Sequence, residues 1–495
     1  MIEWERRARR LRMSLFWLLF LCGLSYWLLQ RSVPKVSRTP VWQLWLVLMS
    51  PLAFWLLWSL LVSRAMPLPV FLLPLIFSAF AYWSLLNKGR IPIQELRQAA
   101  QAQPLPTAAT ASPEPLLTSS ELDQLRHCFP FDCYQLQRFQ TQGASVLCWG
   151  RLRGDSGQAY ATVQQRVQAV FGDRLLVLLR EAKPDQPLFV VVAAPERPRG
   201  RITRPLLALT LLVLTLLTTT SVGYLFTLPG KPDMTAIEAN PNLVLQGLPY
   251  ALALLGILGV HESGHYLAAR RHRLQTTLPY FIPIPAFLGT FGAFIQIRSP
   301  MPNRRALFDV GLAGPLAGLA VTLPVLVAGL QRSSVVPLPP QASLLSFHHL
   351  DPHVSILMSV ISHVALGGQL GADQALQLHP LAIAGYLGLI VTALNLIPVG
   401  QLDGGHVVHA MYGLRASIWI AQAARLLVLV LALLEPELLF WGLLLLFMPV
   451  ADEPALDDVT EIDGGRALLG LVALLLLVLI ILPMPEALGR WLYGL

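Results

Sequence analysis

Charge is scarce in this chain. Of its 495 residues only 13% are Asp, Glu, Lys or Arg, and 55% are hydrophobic. A soluble domain carries about 25% charged residues. So few polar groups cannot cover a folded surface of this size, which excludes an ordinary soluble enzyme and a disordered chain. Cysteine is scarce too, with Cys22, Cys128, Cys133 and Cys148 only. None forms a C-x-x-C pair, so neither a zinc ribbon nor a thioredoxin motif is written here. Cys128, Cys133 and Cys148 read as thiols of a reducing compartment, with a Cys128–Cys133 bridge as the alternative. The polar part of the chain has no G-x-G-x-x-G or Walker loop to cradle phosphate. No basic helix is interleaved with aromatics, and the arginines behind the net charge of +8 sit beside apolar runs. That is how cytoplasmic loops are marked, and it argues against a nucleic-acid partner.

What the chain does have is long apolar runs. They lie at Ser14–Gln30, Val41–Val62, Leu68–Leu86, Pro205–Thr227, Gly247–Ala269, Phe308–Leu330, Pro380–Pro398, Ile418–Leu434, Leu438–Val450 and Ala467–Leu482. These predict a polytopic α-helical membrane protein of about ten spans. The basic start and first apolar run resemble a signal peptide, but the run is long and no small-x-small cleavage site follows, so a retained span is expected. The chain divides into N-terminal transmembrane segments (1–96), an Ala/Pro/Gln/Thr-rich linker (97–118), a small soluble domain (119–196) and a transmembrane domain (197–495). The soluble domain reads as α/β, in the order helix, two strands, helix, two strands. Arginines at 197–204, at 270, 271 and 273, and at 304–305 place that domain and the inner end of Gly247–Ala269 on the cytoplasmic side. The arginines among the first twelve residues oppose this, unless one N-terminal segment is re-entrant or the span count differs.

The chemistry lies in Gly247–Ala269, which contains His261-Glu262-Ser263-Gly264-His265. Residues i and i+4 share a helix face, so both imidazoles can reach one ion. Glu262 points to a different side and is free to hold a water. This H-E-x-x-H spacing is that of zinc hydrolases. His and Glu are costly inside an apolar helix and rarely stand there without a function. A catalytic zinc takes a third protein ligand, and acids are scarce downstream. Asp309 reads as a charge at a helix end, and Asp351 and Asp373 fall in the loop 331–379. Asp403, in Asn395-Leu-Ile-Pro-Val-Gly-Gln-Leu-Asp403-Gly404-Gly405, is the best candidate.

These motifs, with Gly314-Pro315-x-x-Gly318, resemble the site-2 protease family of intramembrane zinc metalloproteases. Gly150-Arg151-Leu152-Arg153 matches a motif of its cyanobacterial and plastid branch, the ethylene-dependent gravitropism-deficient yellow-green proteins. The resemblance implies one Zn2+ per chain on His261, His265 and Asp403, and Glu262 as general base and acid. Asn395 would steady the oxyanion, with a helix-packing amide as the alternative. The implied partners are a transmembrane protein substrate and the lipid bilayer, with no nucleic acid. The expected location is a bacterial plasma or thylakoid membrane, since no Arg/Ser-rich transit peptide precedes the first run.

Between 278 and 299, Pro279, Pro283 and Pro285 exclude a continuous helix, while Gly289 and Gly292 allow a turn. Tyr280–Ile284 and Ala293–Ile297 then read as strands of a re-entrant β-hairpin near the active site, with an ordinary loop as the alternative. The family implies that such a hairpin pairs with an unwound substrate strand. Gly314 and Pro315 are expected to permit close helix packing. His348, His349, His353, His363 and His379 read as solvated loop histidines, and His406 as a partner of the site but not a ligand. Asp452, Glu453, Asp457, Asp458, Glu461 and Asp463 read as a solvated acidic loop. A metal transporter or a catalytically silent scaffold are the competing functions. A transporter would spread its ligands in depth.

Overall fold

The computed structural model describes residues 39–61, scattered positions in 26–85, and 116–489 without 143–144, 184–185, 195–202, 229–239, 286–287, 339–346, 348–349, 369–370, 372–373, 435–437 and 486–487. The chain forms two compact units, Met1–Glu114 and Pro115–Leu495. In the first, helix α1 (Val41–Leu61) is almost wholly apolar. Most of the runs Ser14–Gln30 and Leu68–Leu86, and most of the linker, lie outside the described residues.

The second unit opens with α2 (Ser119–His127), β1 (Tyr134–Gln142), β2 (Ser145–Leu152), α3 (Ser156–Phe171), β3 (Leu175–Lys183) and β4 (Gln186–Ala193). Thr118 caps α2 in a capping box with Glu121, and Asp155 caps α3. Each cap satisfies an amide that the first helical turn leaves unpaired. The strands form one antiparallel sheet in the order β1-β2-β4-β3. Phe129 and Tyr134 both meet Phe189 edge-on in its core. The Tyr134 hydroxyl donates to the Cys148 carbonyl at 2.8 Å, so its one polar group is satisfied inside the core.

The helical part consists of α4 (Pro205–Leu225), α5 (Leu248–Arg271), β5 (Tyr280–Pro283), β6 (Thr290–Phe294), α6 (Arg304–Leu330), β7 (Ser334–Pro337), α7 (Ile356–Ala365), β8 (Gln374–Gln377), α8 (Pro380–Leu396), α9 (Asp403–Leu434), α10 (Leu439–Phe447) and α11 (Gly464–Ile481). Among the described residues five helices are long and apolar enough to cross a membrane: α4, α5 with the turn before it, α6, most of α9, and α11. Hydropathy alone suggests about ten spans. Ser14–Gln30 and Leu68–Leu86 lie mostly outside the described residues, and two other runs form short helices. α8 is apolar but only 17 residues long, and α10 has 9. The Ile418–Leu434 run is the second half of α9, which bends at Gly413, where φ is 80°. Glycine takes this left-handed conformation without penalty.

α5, α6 and α8 pack closely along small residues. A Cβ on Gly264 would lie 2.5 Å from the Ala313 carbonyl oxygen, and one on Gly388 would lie 2.6 Å from the Thr322 hydroxyl. β5 and β6 pair antiparallel, Tyr280 opposite Phe294. Their turn is tied to α4 and α5, because the Thr218 and Tyr250 hydroxyls donate to the carbonyls of Gly289 and Leu288 at 2.7 and 2.9 Å. The described part of the loop 331–379 carries regular structure. β7 pairs with β8, α7 lies between them, and His379 caps α8 through its Nδ1.

Candidate active site

α5 carries His261 and His265 on one face, and both are buried. α8 ends at Leu396, a tight turn follows, and α9 starts at Asp403. The glycines after Asp403 are required by this turn, since a Cβ on Gly404 would overlap the Leu396 carbonyl and one on Gly405 the Gly400 carbonyl. The turn delivers Asp403 to the two histidines. Its Oδ2 lies 3.4 Å from His261 Nε2 and 3.3 Å from His265 Nε2, and the two Nε2 atoms are 3.1 Å apart. His265 Nδ1 lies 2.7 Å from the Val310 carbonyl oxygen. A carbonyl only accepts, so Nδ1 carries the proton and Nε2 presents its lone pair. Electron-rich atoms held this close in a buried site call for a cation at their centre. Ligand bonds of 2.0–2.1 Å in a tetrahedron put neighbouring donors about 3.3–3.4 Å apart, the size a zinc ion needs. These three residues are the one such group found among the described residues.

The remaining motif residues surround this group. Asn395, in the last turn of α8, places its Nδ2 3.2 Å from His261 Nε2. The buried Glu262 carboxylate has His265, Asp403 and the backbone of Ile295, just past β6, as its electrostatic neighbours. The hairpin therefore borders the site. Gly314 and Gly318 make room for the histidines. A Cβ on Gly314 would overlap the His265 ring, and one on Gly318 would stand 3.1 Å from His261 Cβ.

A model of peptidase family M50 matches residues 249–434. Among curated proteins, the chain is 32% identical to the probable zinc metalloprotease EGY1, chloroplastic, of Arabidopsis thaliana, over 71% of this chain and 68% of the relative. It is 30% identical to EGY2 of Oryza sativa subsp. indica over 79% and 71%, and 32% identical to EGY2 of Arabidopsis thaliana over 75% and 66%. The chain belongs to peptidase family M50, the site-2 proteases. It spans about two thirds of the length of these relatives. No solved structure matches it.

As an M50 protein the chain is an intramembrane zinc metalloprotease, and Zn2+ is its cofactor. The transporter and scaffold readings are not favoured, and the three donor atoms lie together rather than spread in depth. The Gly150–Arg153 motif serves the small domain itself. Gly150 leaves space for the Tyr134 ring, and Arg153 lies 4.0 Å over the Phe131 ring.

Two readings of the sequence need correction, and two further residues gain partners that the sequence does not show. Asp309 is more than a helix-end charge. It takes both arms of Arg466 on α11, at 2.7 and 2.8 Å, and His272 Nε2 at 2.9 Å. Arg304 is buried and donates from Nε to the Ala410 carbonyl. Asp452 and Asp457 are buried, so the acidic stretch is solvated only in part, at Glu453, Glu461 and Asp463. His406 Nδ1 binds Asp452 Oδ2 at 2.8 Å. Composition could not reveal these pairings, because each partner is remote in sequence or belongs to a stretch of like charge.

Proposed function

We propose that His261, His265 and Asp403 hold one zinc ion, and that Glu262 and Asn395 act beside it to hydrolyse peptide bonds of transmembrane protein substrates. The observation that carries this reading is the triangle of donor atoms 3.1–3.4 Å apart, with Glu262 on the next position of the same helix. Zinc in such a site supplies a Lewis acid that acidifies a water and polarises a carbonyl. Glu262 takes the proton from the attacking water and passes it to the leaving amine. Asn395 Nδ2 donates a hydrogen bond to the oxyanion that develops at the scissile carbonyl. The β5–β6 hairpin is re-entrant and holds the substrate as an added strand beside Glu262, because hydrolysis needs an extended peptide and a sheet edge binds one.

Residues 1–96 supply further spans, 97–118 a linker and 119–196 a domain on the cytoplasmic side (the stromal side in a plastid), and 197–495 form the catalytic domain. The basic segments 197–204 and 270–273 support this orientation. The named relatives are chloroplastic, which favours a plastid membrane over the bacterial one expected from the sequence.

The test pairs two variants. Glu262→Gln should keep zinc and lose cleavage of a transmembrane reporter by about 10³-fold, since it keeps size but not proton transfer. Asp403→Asn should lose zinc. A Glu262→Gln enzyme that cleaves at the normal rate with zinc in place would refute the mechanism.

A further inference from the structure

The C-terminal acidic stretch joins three parts of the fold. Its first residues lie against the Asp403 turn: a Cβ on Gly400, three residues before Asp403, would overlap the Pro449 carbonyl. Asp452 then reaches α9 from the side. Its Oδ2 receives His406 Nδ1 at 2.8 Å and His409 Nδ1 at 2.9 Å. The other nitrogen of His409 binds Asp458 Oδ1 at 2.9 Å. His409 is fully buried, and carboxylates on both ring nitrogens are satisfied together only by the imidazolium. A buried chain of carboxylate, imidazolium and carboxylate is rigid when complete and costly when broken.

Residues 455–458 meanwhile bond on two sides. The Leu179 amide of β3 donates to the Leu456 carbonyl at 2.7 Å, and the Asp458 amide donates back to the Leu179 carbonyl at 3.1 Å. The amides of Leu456 and Asp457 donate to the carbonyls of Met301 and Pro302, at the entrance to α6. Arg180 donates to the Ala455 carbonyl at 3.0 Å, and Leu456 is buried in the small domain's own core. α6 closes the loop, because Gly311 packs against His406 Cβ and lies near the Asp403 carbonyl, one turn before Gly314 meets His265.

We propose that Asp452 and Asp458 are positioning residues for Asp403, and that docking of the small domain on the 449–458 strap sets the third zinc ligand. The proposal rests on Asp403 being that ligand. The strap clamps the first turns of α9, where a small rotation would swing Asp403 away from His261 and His265. The small domain thereby acts as part of the catalytic unit through β3, Arg180 and the strap.

The experiment uses the full chain in detergent, with Asp452→Asn and Asp458→Asn, which keep shape and remove the charge. Zinc affinity is measured by chelator competition, coordination by the absorption spectrum of the Co2+-substituted protein, and docking by hydrogen exchange at the amides of Leu179 and Asp458. Both variants should lose protection at these amides and bind zinc about tenfold more weakly. The Co2+ spectrum should shift, and kcat should fall more than KM changes. Asp458→Glu should restore part of each effect. Arg180→Ala, at the partly exposed end of the strap, should act in the same direction if an Asn variant fails to fold. Loss of amide protection with unchanged zinc affinity and an unchanged Co2+ spectrum would overturn the proposal. So would Asn variants that keep both protection and affinity. Zinc affinity unchanged in Asp403→Asn would instead refute the ligand assignment, whatever the strap does.

Discussion

Gly314 faces the ring of His265 so closely that a Cβ cannot stand between them. One turn on, Gly318 meets His261 with a little more room. α6 thus backs the face of α5 that carries His261 and His265. The G-P-x-x-G motif is a template for two imidazoles as well as a place where helices approach.

Alanine at these glycines tests this template. In a free helix Ala is more favourable than Gly by about 1 kcal/mol. At Gly314 the clash dominates, and Gly314→Ala should displace His265 and remove most zinc binding. Overpacking of this kind costs about 1–3 kcal/mol. Gly318→Ala needs His261 to give by only a few tenths of an ångström and should weaken zinc binding slightly. Chelator competition on both variants checks the order; equal effects would contradict it.

The cysteines report on the small domain. Cys128 and Cys148 are buried free thiols, while Cys133 is half-buried. Burial pushes the thiols of Cys128 and Cys148 up, which starves them of thiolate. In a Cys22→Ser background, maleimide should label Cys133 first and the other two only after unfolding. With intact right-side-out vesicles, an impermeant maleimide should miss Cys133 until the membrane is opened. Labelling from outside would reverse the orientation proposed for 119–196.

Asp452 gives the strap a pH dependence. Burial by itself would raise its carboxyl, but hydrogen bonds and charge from His406 and His409 outweigh this and hold it at about 2, below its ordinary 3.8. A carboxylate depressed in the fold stabilises it fully above the ordinary value and loses that contribution as pH falls through the folded one. The shift corresponds to about 2 kcal/mol. Asp458, across His409, and Arg180 beside Asp458 complete the charged neighbourhood. Protection of the Leu179 amide should be constant from about pH 4 to neutrality and fall between about pH 4 and 2. In Asp452→Asn that step should vanish.

Arg466 and Asp309 form the clasp between α11 and α6, with His272 of the α5 end on the same carboxylate. Asp309→Asn removes the charge from both partners at once. It should lower the thermal midpoint while leaving zinc affinity close to normal, because Asp309 touches none of the metal-binding side chains. Loss of zinc binding in that variant would show that the clasp also holds the site together.

Much of the site was legible before any fold was known. His261 and His265 stand one helical turn apart, so their shared face follows from helix geometry alone, and Glu262 at the next position points to a different side. Asp403 emerged because acids are rare in an apolar chain, and Asn395 came through the family motif. The sheet-and-helix order of 119–196 followed from alternation and capping residues, which act over a few positions.

What the sequence by itself determined is therefore local: which runs are apolar, which residues repeat at helical spacing, and which polar groups stand where burial is expensive. Only the tertiary structure decided which remote segments meet. Asp452 and Asp458 look like any solvated acidic stretch until His409, 43 and 49 residues away, is seen between them. Asp309 looks like an end charge until Arg466 arrives from 157 residues on. The pairing energy of a charge depends on its distance to the partner and on the dielectric around both, and neither quantity exists until the chain has folded.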